Sequence, residues 1–302
     1  MLGVILFCVT AVSVNAVEGE PPSLLPKGHE FRLVWHDEFD GAELDEAKWM
    51  YRTNFWGKCA HWFATPDDHA VEVKDGKCYL KLVRRQDGQI VSPQLQTGEL
   101  VWDHPWVEKR NIFWPLRKRE KPKFVHCYGY YECRCRLQQE PGWWSAFWMQ
   151  SESQGVTLNP ALSGVEHDIM ESFEPGTVIP HCFHYNGYGA DYKGFKTPYV
   201  APGEDPFRKI IQVDKTAYHT FGLLWESDGY TCFIDGRQDG PKVGKKGDEA
   251  VSHVPEFILL TTEAKWFRND GMRGVGVPEL EISVRKGDAF VVDFVRVYDI
   301  VK

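Results

Sequence analysis

Gly164-Val165-Glu166-His167-Asp168-Ile169-Met170-Glu171-Ser172 places three carboxylates within six residues, separated by apolar or ring-bearing positions. Successive side chains of an extended strand alternate faces, so Glu166 and Asp168 share one face and His167 takes the other. Unbroken alternation brings Met170 to the acidic face next and turns Glu171 away. One extra residue between Asp168 and Glu171, a β-bulge, returns Glu171 to the face of the other two acids. Three acids on one face repel one another. A chain that keeps them together is either using them in a cleft or displaying them on a solvated edge strand.

The segments on either side are strand-like. Before the acidic stretch, Tyr128–Leu137 alternates apolar and polar positions, Pro141-Gly142 turns the chain, and Trp143–Met149 follows as another strand. A Gly/Ser/Asn/Pro-rich loop, 151–163, then delivers the acids. After them come a short strand at His181–Tyr185 and a hairpin from Tyr218–Trp225 and Tyr230–Ile234 around Ser227-Asp228-Gly229. Glu256–Thr262 and Phe290–Tyr298 are the last strands. Towards the N-terminus, Phe31–Trp35 is a first strand, and Ala70–Val73 and Cys78–Arg84 flank the turn signal Lys74-Asp75-Gly76. No sustained 3.6-residue apolar period, no repeat and no linker interrupts the pattern. Many short strands between turn signals predict an all-β sandwich of two antiparallel sheets in one domain spanning 17–302, with long loops lining a cleft over one sheet.

The 302 residues, 43% hydrophobic and 26% charged, are ordinary for a globular chain with a sizeable core. A formal charge of −8 argues against a general nucleic-acid binder. One stretch departs from that balance: Glu108–Lys123 holds seven Lys or Arg against two Glu, either a solvated loop or a cleft edge that attracts an anionic glycan. The apolar run Leu2–Val14 followed by Val14-Asn15-Ala16 is too short to span a bilayer and is expected to be a signal peptide covering 1–16, making the protein exported. Seven cysteines remain beyond it. Cys133 and Cys135 share a strand face and are not expected to bridge, the spacings do not resemble a zinc site, and buried free thiols are the favoured account, with one disulfide as the alternative. The 12 Trp are an excess that sugar stacking or core filling would explain.

Paired carboxylates on one face suit glycoside hydrolysis. A retaining enzyme needs a carboxylate nucleophile and a protonated carboxylic acid about 5–5.5 Å apart. Glu166 and Glu171 lie about 16 Å apart by strand rise before a bulge shortens the path, so their side chains must lean together. Asp168 between them would hold their two pKa values apart.

In these pieces the chain resembles glycoside hydrolase family 16, from about Phe31 to Val301. The resemblance rests on ordered signatures: Trp35-His36-Asp37-Glu38-Phe39-Asp40, Tyr128-Gly129-Tyr130-Tyr131-Glu132, Gly142-Trp143-Trp144-Ser145-Ala146-Phe147-Trp148-Met149, the acidic stretch, His184-Tyr185, the Trp225–Gly236 hairpin and Asp293–Tyr298. It implies a β-jelly roll and endo-acting, retaining hydrolysis of β-linked polysaccharides, with Glu166 as nucleophile, Asp168 as assisting acid and Glu171 as general acid/base. The Glu-x-Asp-x-x-Glu spacing looks like the branch of laminarinases, agarases, carrageenases and porphyranases. That branch leaves β-1,3-glucan, β-galactan and poly-N-acetyllactosamine-type glycans open as substrates. Trp144, Trp148 and His184 match positions that line the substrate, with core packing as the alternative for each. Trp143, Trp266, Asn54 and Trp56 are further stacking or binding candidates. No cofactor is implied for catalysis. Many relatives carry a structural calcium ion, and Glu38 and Asp293 are the corresponding residues. His167 stands where the family usually has Ile or Leu and should face the core. A lectin-like jelly roll and a transglycosylase remain alternatives, and the partner expected is a β-linked glycan met by a monomer away from any membrane.

Overall fold

Strand-forming sequence of this kind has to bury one face of each sheet, and the chain does so by stacking two of them. The computed structural model describes residues 17, 19–55, 58–59, 62–100, 121–186, 191, 193–196, 210–244, 251–264 and 278–301, with the backbone alone of 54–55, 58–59 and 195–196. The expected signal peptide, Trp56, Trp266 and all but the last three residues of the basic stretch lie outside the described residues.

One eight-stranded antiparallel sheet runs in the order Arg237–Gln238, Gly229–Ile234, His219–Glu226, Gly129–Arg136, Ala289–Ile300, Lys77–Lys81 and Val71–Lys74, with Phe31–Asp37 pairing the far end of Ala289–Ile300. The other runs Lys193–Lys196, Thr177–Tyr185, Glu166–Ser172, Trp143–Ser151, Glu256–Ala264, Gln94–Gln96 and Met50–Tyr51, with Ile211–Gln212 pairing Thr177–Tyr185. The all-β jelly-roll sandwich expected from the sequence is the fold observed. Between the sheets, Trp143, Phe147, Met149, Phe183, Ile258 and Leu260 from the second meet Tyr131, Phe221, Leu223, Trp225, Val295 and Val297 from the first. Aligned stacking of two such faces is what period-2 alternation produces.

Two features depart from the sequence reading. Pro278–Lys286 is a nine-residue helix where no helical period was expected. Only Leu280 and Ser283 on it are buried, so its apolar stripe is too thin to register as a period. Its end signals were present nonetheless: Pro278 opens it, Glu279 and Glu281 fill the first turn, Arg285 and Lys286 the last, and Gly287 at φ +64° follows. The strand expected at His181–Tyr185 also begins earlier, at Thr177, because Pro180, a residue that argues against a strand, is accommodated opposite Met170. Cys78, Cys127, Cys133, Cys135, Cys182 and Cys232 form no disulfide with one another, as expected; the side chain of Cys59 is outside the description. Among the described residues no helix is long and apolar enough to cross a membrane.

Candidate active site

The register of two neighbouring strands decides which way the acids point. Against Trp143–Ser151, His167 faces Met149 and Asp168 faces Trp148, but Met170 faces Phe147 and Glu171 faces Ala146. Ile169 is therefore the extra residue, and the bulge lies where alternation required it. Met149 and Phe147 belong to the inter-sheet core, as do His167's neighbour Phe183, Ile169 and Met170. Trp148 and Ala146 lie on the opposite face, and Asp168 and Glu171 share it with Glu166. The strand on the other side keeps step with the bulge: Asp168 faces Cys182 and Met170 faces Pro180, with His181 between them at φ +56°. A left-handed backbone at a residue other than glycine is uncommon, and here it passes the extra residue on to the next strand.

On this face Glu166 is 9% exposed and Asp168 6%, while Glu171 is half-buried. Gln150 Nε2 donates to Glu166 Oε2 at 2.8 Å, fixing the first acid from the neighbouring strand. His184 Nε2 lies 2.9 Å from Asp168 Oδ2. Burial opposes a charge on His184, but the hydrogen bond and charge of Asp168, with Glu166 and Glu171 adding to them, outweigh it and raise the imidazole to about 9. His184 is thus an imidazolium at neutral pH, a fixed cation among three acids.

That shift has a consequence for stability. The folded-state value of about 9 lies above the ordinary 6.5, so the contribution is complete below pH 6.5 and is lost as pH rises through 9. The difference amounts to at most about 3 kcal/mol. Urea unfolding at pH 6, 7.5 and 9 should show stability falling faster in the wild type than in His184→Gln. Parallel pH slopes would show that the pair contributes nothing.

The expected aromatic residues separate by strand position. Trp148, half-buried, donates its Nε1–H to Thr261 Oγ1 at 2.9 Å and carries the Arg52 guanidinium 5.2 Å from its ring centre. It shares the face of the acids, on the side where the sequence reading placed it. Trp144 shares that face but is 8% exposed, its ring stacked on Phe173 at 5.1 Å. Trp143 corrects the sequence reading: it is fully buried in the inter-sheet core with Phe147 and Met149, so it offers no ring to a sugar. Alternation puts it one residue out of phase with Trp144 and Trp148. Asn54 lies in a two-residue strand paired with Lys58–Cys59, and its side chain is not described. Arg52 and Gln150 were missed. Gln150 had a signal, since it continues the period-2 row Trp144, Ala146, Trp148; Arg52 had none.

Behind the acids, His167 is 1% exposed and packs among the rings of Tyr230, Phe183 and Trp225 at 4.5, 5.4 and 5.5 Å. It faces the other sheet, as expected. Its Nδ1 lies 3.2 Å from Glu256 Oε2, whose other oxygen accepts the Val165 N–H at 3.1 Å. Burial lowers His167 to about 3 and raises Glu256 to about 8. Both are neutral at pH 7, so this is a polar contact without ion-pair character, and it ties the entry of the acidic strand to Glu256.

The calcium expectation does not fit the residues present. Both oxygens of Glu38 are taken by Arg296, Nε to Oε1 at 2.9 Å and Nη2 to Oε2 at 2.7 Å. Asp293 is paired with Arg134 and has Lys77 Nζ at 3.4 Å. Side-chain cations stand where an oxygen-rich calcium shell would need open carboxylates.

Comparison with known proteins agrees with this geometry. The model of the family described as Glycosyl hydrolases family 16 matches residues 118–255, which include all three acids. The chain is 25% identical over 289 residues to glucan endo-1,3-beta-glucosidase A1 of Niallia circulans, covering 88% of this chain but 37% of that protein. It is 25% identical over 247 residues to a beta-glucanase of Rhodothermus marinus, covering 80% of this chain and 71% of that one. The chain thus spans little more than a third of the first relative's length. Its fold is similar to the X-ray structure of the laminarinase from Rhodothermus marinus, with a TM-score of 0.60 and 22% identity over 91% of this chain and all of that one. With the acidic motif, its bulge and the two-sheet fold all in place, the chain is similar to glycoside hydrolase family 16, and the family model covers the stretch that carries the acids.

Proposed function

We propose that the protein is an endo-acting, retaining β-glycosidase that cleaves β-1,3-glucan through a covalent glycosyl-enzyme intermediate. The observation that carries this reading is the bulge at Ile169, which puts Glu166, Asp168 and Glu171 on one face beside Trp148. Glu166 attacks the anomeric carbon while Glu171 protonates the departing glycosidic oxygen. Glu171 then takes a proton from water, which displaces Glu166 from the sugar. Asp168, held by His184, is a negative charge between the two glutamates. It disfavours ionisation of both at once and so supports one acid and one base. Trp148 offers an aromatic face for a glucosyl ring. The relatives' names, a glucan endo-1,3-beta-glucosidase and a laminarinase, favour β-1,3-glucan over a galactan. The same reading makes the protein an exported monomer, its leading apolar run a cleaved signal.

The test is mass spectrometry of products from laminarin, mixed-linkage glucan, agarose, porphyran, carrageenan and mucin O-glycans, with Glu171→Ala as the blank. Oligosaccharides from laminarin, released first as the β-anomer by NMR, are expected. An α-anomer would overturn the retaining mechanism, products from a galactan alone would overturn the substrate, and affinity without cleavage would leave a lectin-like module. Products longer than the starting oligosaccharide would mark a transglycosylase.

A further inference from the structure

Cys182 differs from the core cysteines. Cys78, Cys133, Cys135 and Cys232 all pack into the inter-sheet core, but Cys182 does not, although its neighbours Phe183 and Tyr185 do. It is 2% exposed and stands opposite Asp168, while His184, two residues on, stands opposite Glu166. One ligand atom each from Asp168, Cys182 and His184 lies within 4.8 Å of the other two, and these are the only three such side chains brought together among the described residues. Tetrahedral zinc holds sulfur and nitrogen or oxygen donors at about 2.0–2.3 Å, which sets donor separations of about 3.3–3.8 Å. The Asp168–His184 pair at 2.9 Å would open slightly, and the Cys182 sulfur, within 4.8 Å of both, would close by no more than about 1–1.5 Å. A thiolate, an imidazole and one carboxylate select a soft or borderline ion over calcium or magnesium.

We propose that Asp168, Cys182 and His184 form a binding site for a thiophilic divalent cation such as Zn²⁺, whose occupancy reversibly blocks the acidic trio. On binding, the thiol proton and the proton on His184 pass to solvent, and the ion takes Sγ, a ring nitrogen and a carboxylate oxygen, with water completing the shell. Asp168 is then withdrawn from its place between the glutamates. The ion would sit on the strand face that carries Glu166 and Glu171, where the glycan has to lie. The blocking half of this proposal rests on the glycosidase reading; the binding half does not.

The experiment titrates Zn²⁺ into full-length wild type and Cys182→Ser against a chromophoric chelator, and in parallel measures laminarin hydrolysis with Zn²⁺ and after EDTA. Loss of a partner outside the coordination shell already costs roughly 10–100-fold in metal affinity, so loss of the sulfur ligand should cost at least as much. The variant should keep its basal activity, lose one zinc equivalent and resist Zn²⁺ inhibition; EDTA should restore the wild type. Equal zinc affinity and equal inhibition in the two proteins would overturn the site. Should Cys182→Ser fail to fold, Co²⁺ binding to wild type decides: a thiolate-to-cobalt charge-transfer band supports the site and its absence overturns it. Zinc binding that depends on Cys182 in a protein inactive on every glycan would uphold the site while the glycosidase reading fell.

Discussion

Glu166→Gln should lower kcat on laminarin by about 10⁴-fold or more, because a nucleophile that forms the covalent intermediate has no substitute in the site. The replacement keeps the side-chain volume and leaves Gln150 within reach of position 166, so no cavity opens. One of three like charges disappears, so the unfolding temperature should stay the same or rise. Glu171→Gln should cost about 10²–10⁴-fold, the usual worth of a general acid or base. Azide separates the two roles. With Glu171 gone, the glycosyl-enzyme still forms from an aryl glycoside whose leaving group needs no proton, and azide, which needs no base, intercepts it to give a β-glycosyl azide. With Glu166 shortened to Ala, azide attacks the substrate directly from the vacated face and gives the α-azide. An α-azide from the Glu171 variant, or full activity in either well-folded variant, would reverse or remove the assignment.

Much of this was legible from alternation alone. The need for an extra residue between Asp168 and Glu171 follows from period 2 and the positions of three acids, and the register places that residue at Ile169. His167 facing the core follows from the same count. Trp143 shows where a motif misleads: adjacent tryptophans in one strand cannot both face the substrate, and alternation from Trp148 was enough to exclude it. His181 was not legible, because its left-handed backbone answers a bulge in the neighbouring strand and leaves no mark in its own sequence. Arg52 reaches Trp148 from a segment distant in sequence, and Cys182 meets Asp168 through the register of the next strand; pattern along one segment reveals neither. The calcium expectation failed for a related reason. Glu38 and Asp293 were placed by motif, but what surrounds them is set by Arg296, which lies inside a signature without a role assigned to it, and by Arg134, which lies outside every signature.

Arg296→Met should therefore be among the most destabilising single changes in the protein, at about 3–5 kcal/mol. Arg296 is fully buried and Glu38 is 2% exposed. The guanidinium makes two parallel bonds to Glu38, and its Nη1 donates to Pro21 O and Ser23 Oγ, both at 2.8 Å. It also lies 3.7 Å from the Phe294 ring centre. Removing it leaves Glu38 as a buried carboxylate, with only His36 Nδ1 at 3.0 Å beside it, and removes the cation that partly offsets the burial of Glu132, already raised to about 7. Against typical stabilities of about 5–15 kcal/mol, that loss is a large share. Arg296→Met/Glu38→Leu should recover most of it, since replacing both buried partners by apolar groups is often neutral or better. Equilibrium urea unfolding of the four proteins closes the cycle, and added Ca²⁺ should leave all four unchanged because the positive charge at Glu38 is covalently part of the chain. A single-variant loss under about 1 kcal/mol, which is the range of an exposed pair, would show that the Glu38 carboxylate has another partner. A rise in wild-type stability on adding Ca²⁺ would identify that partner as a bound calcium ion.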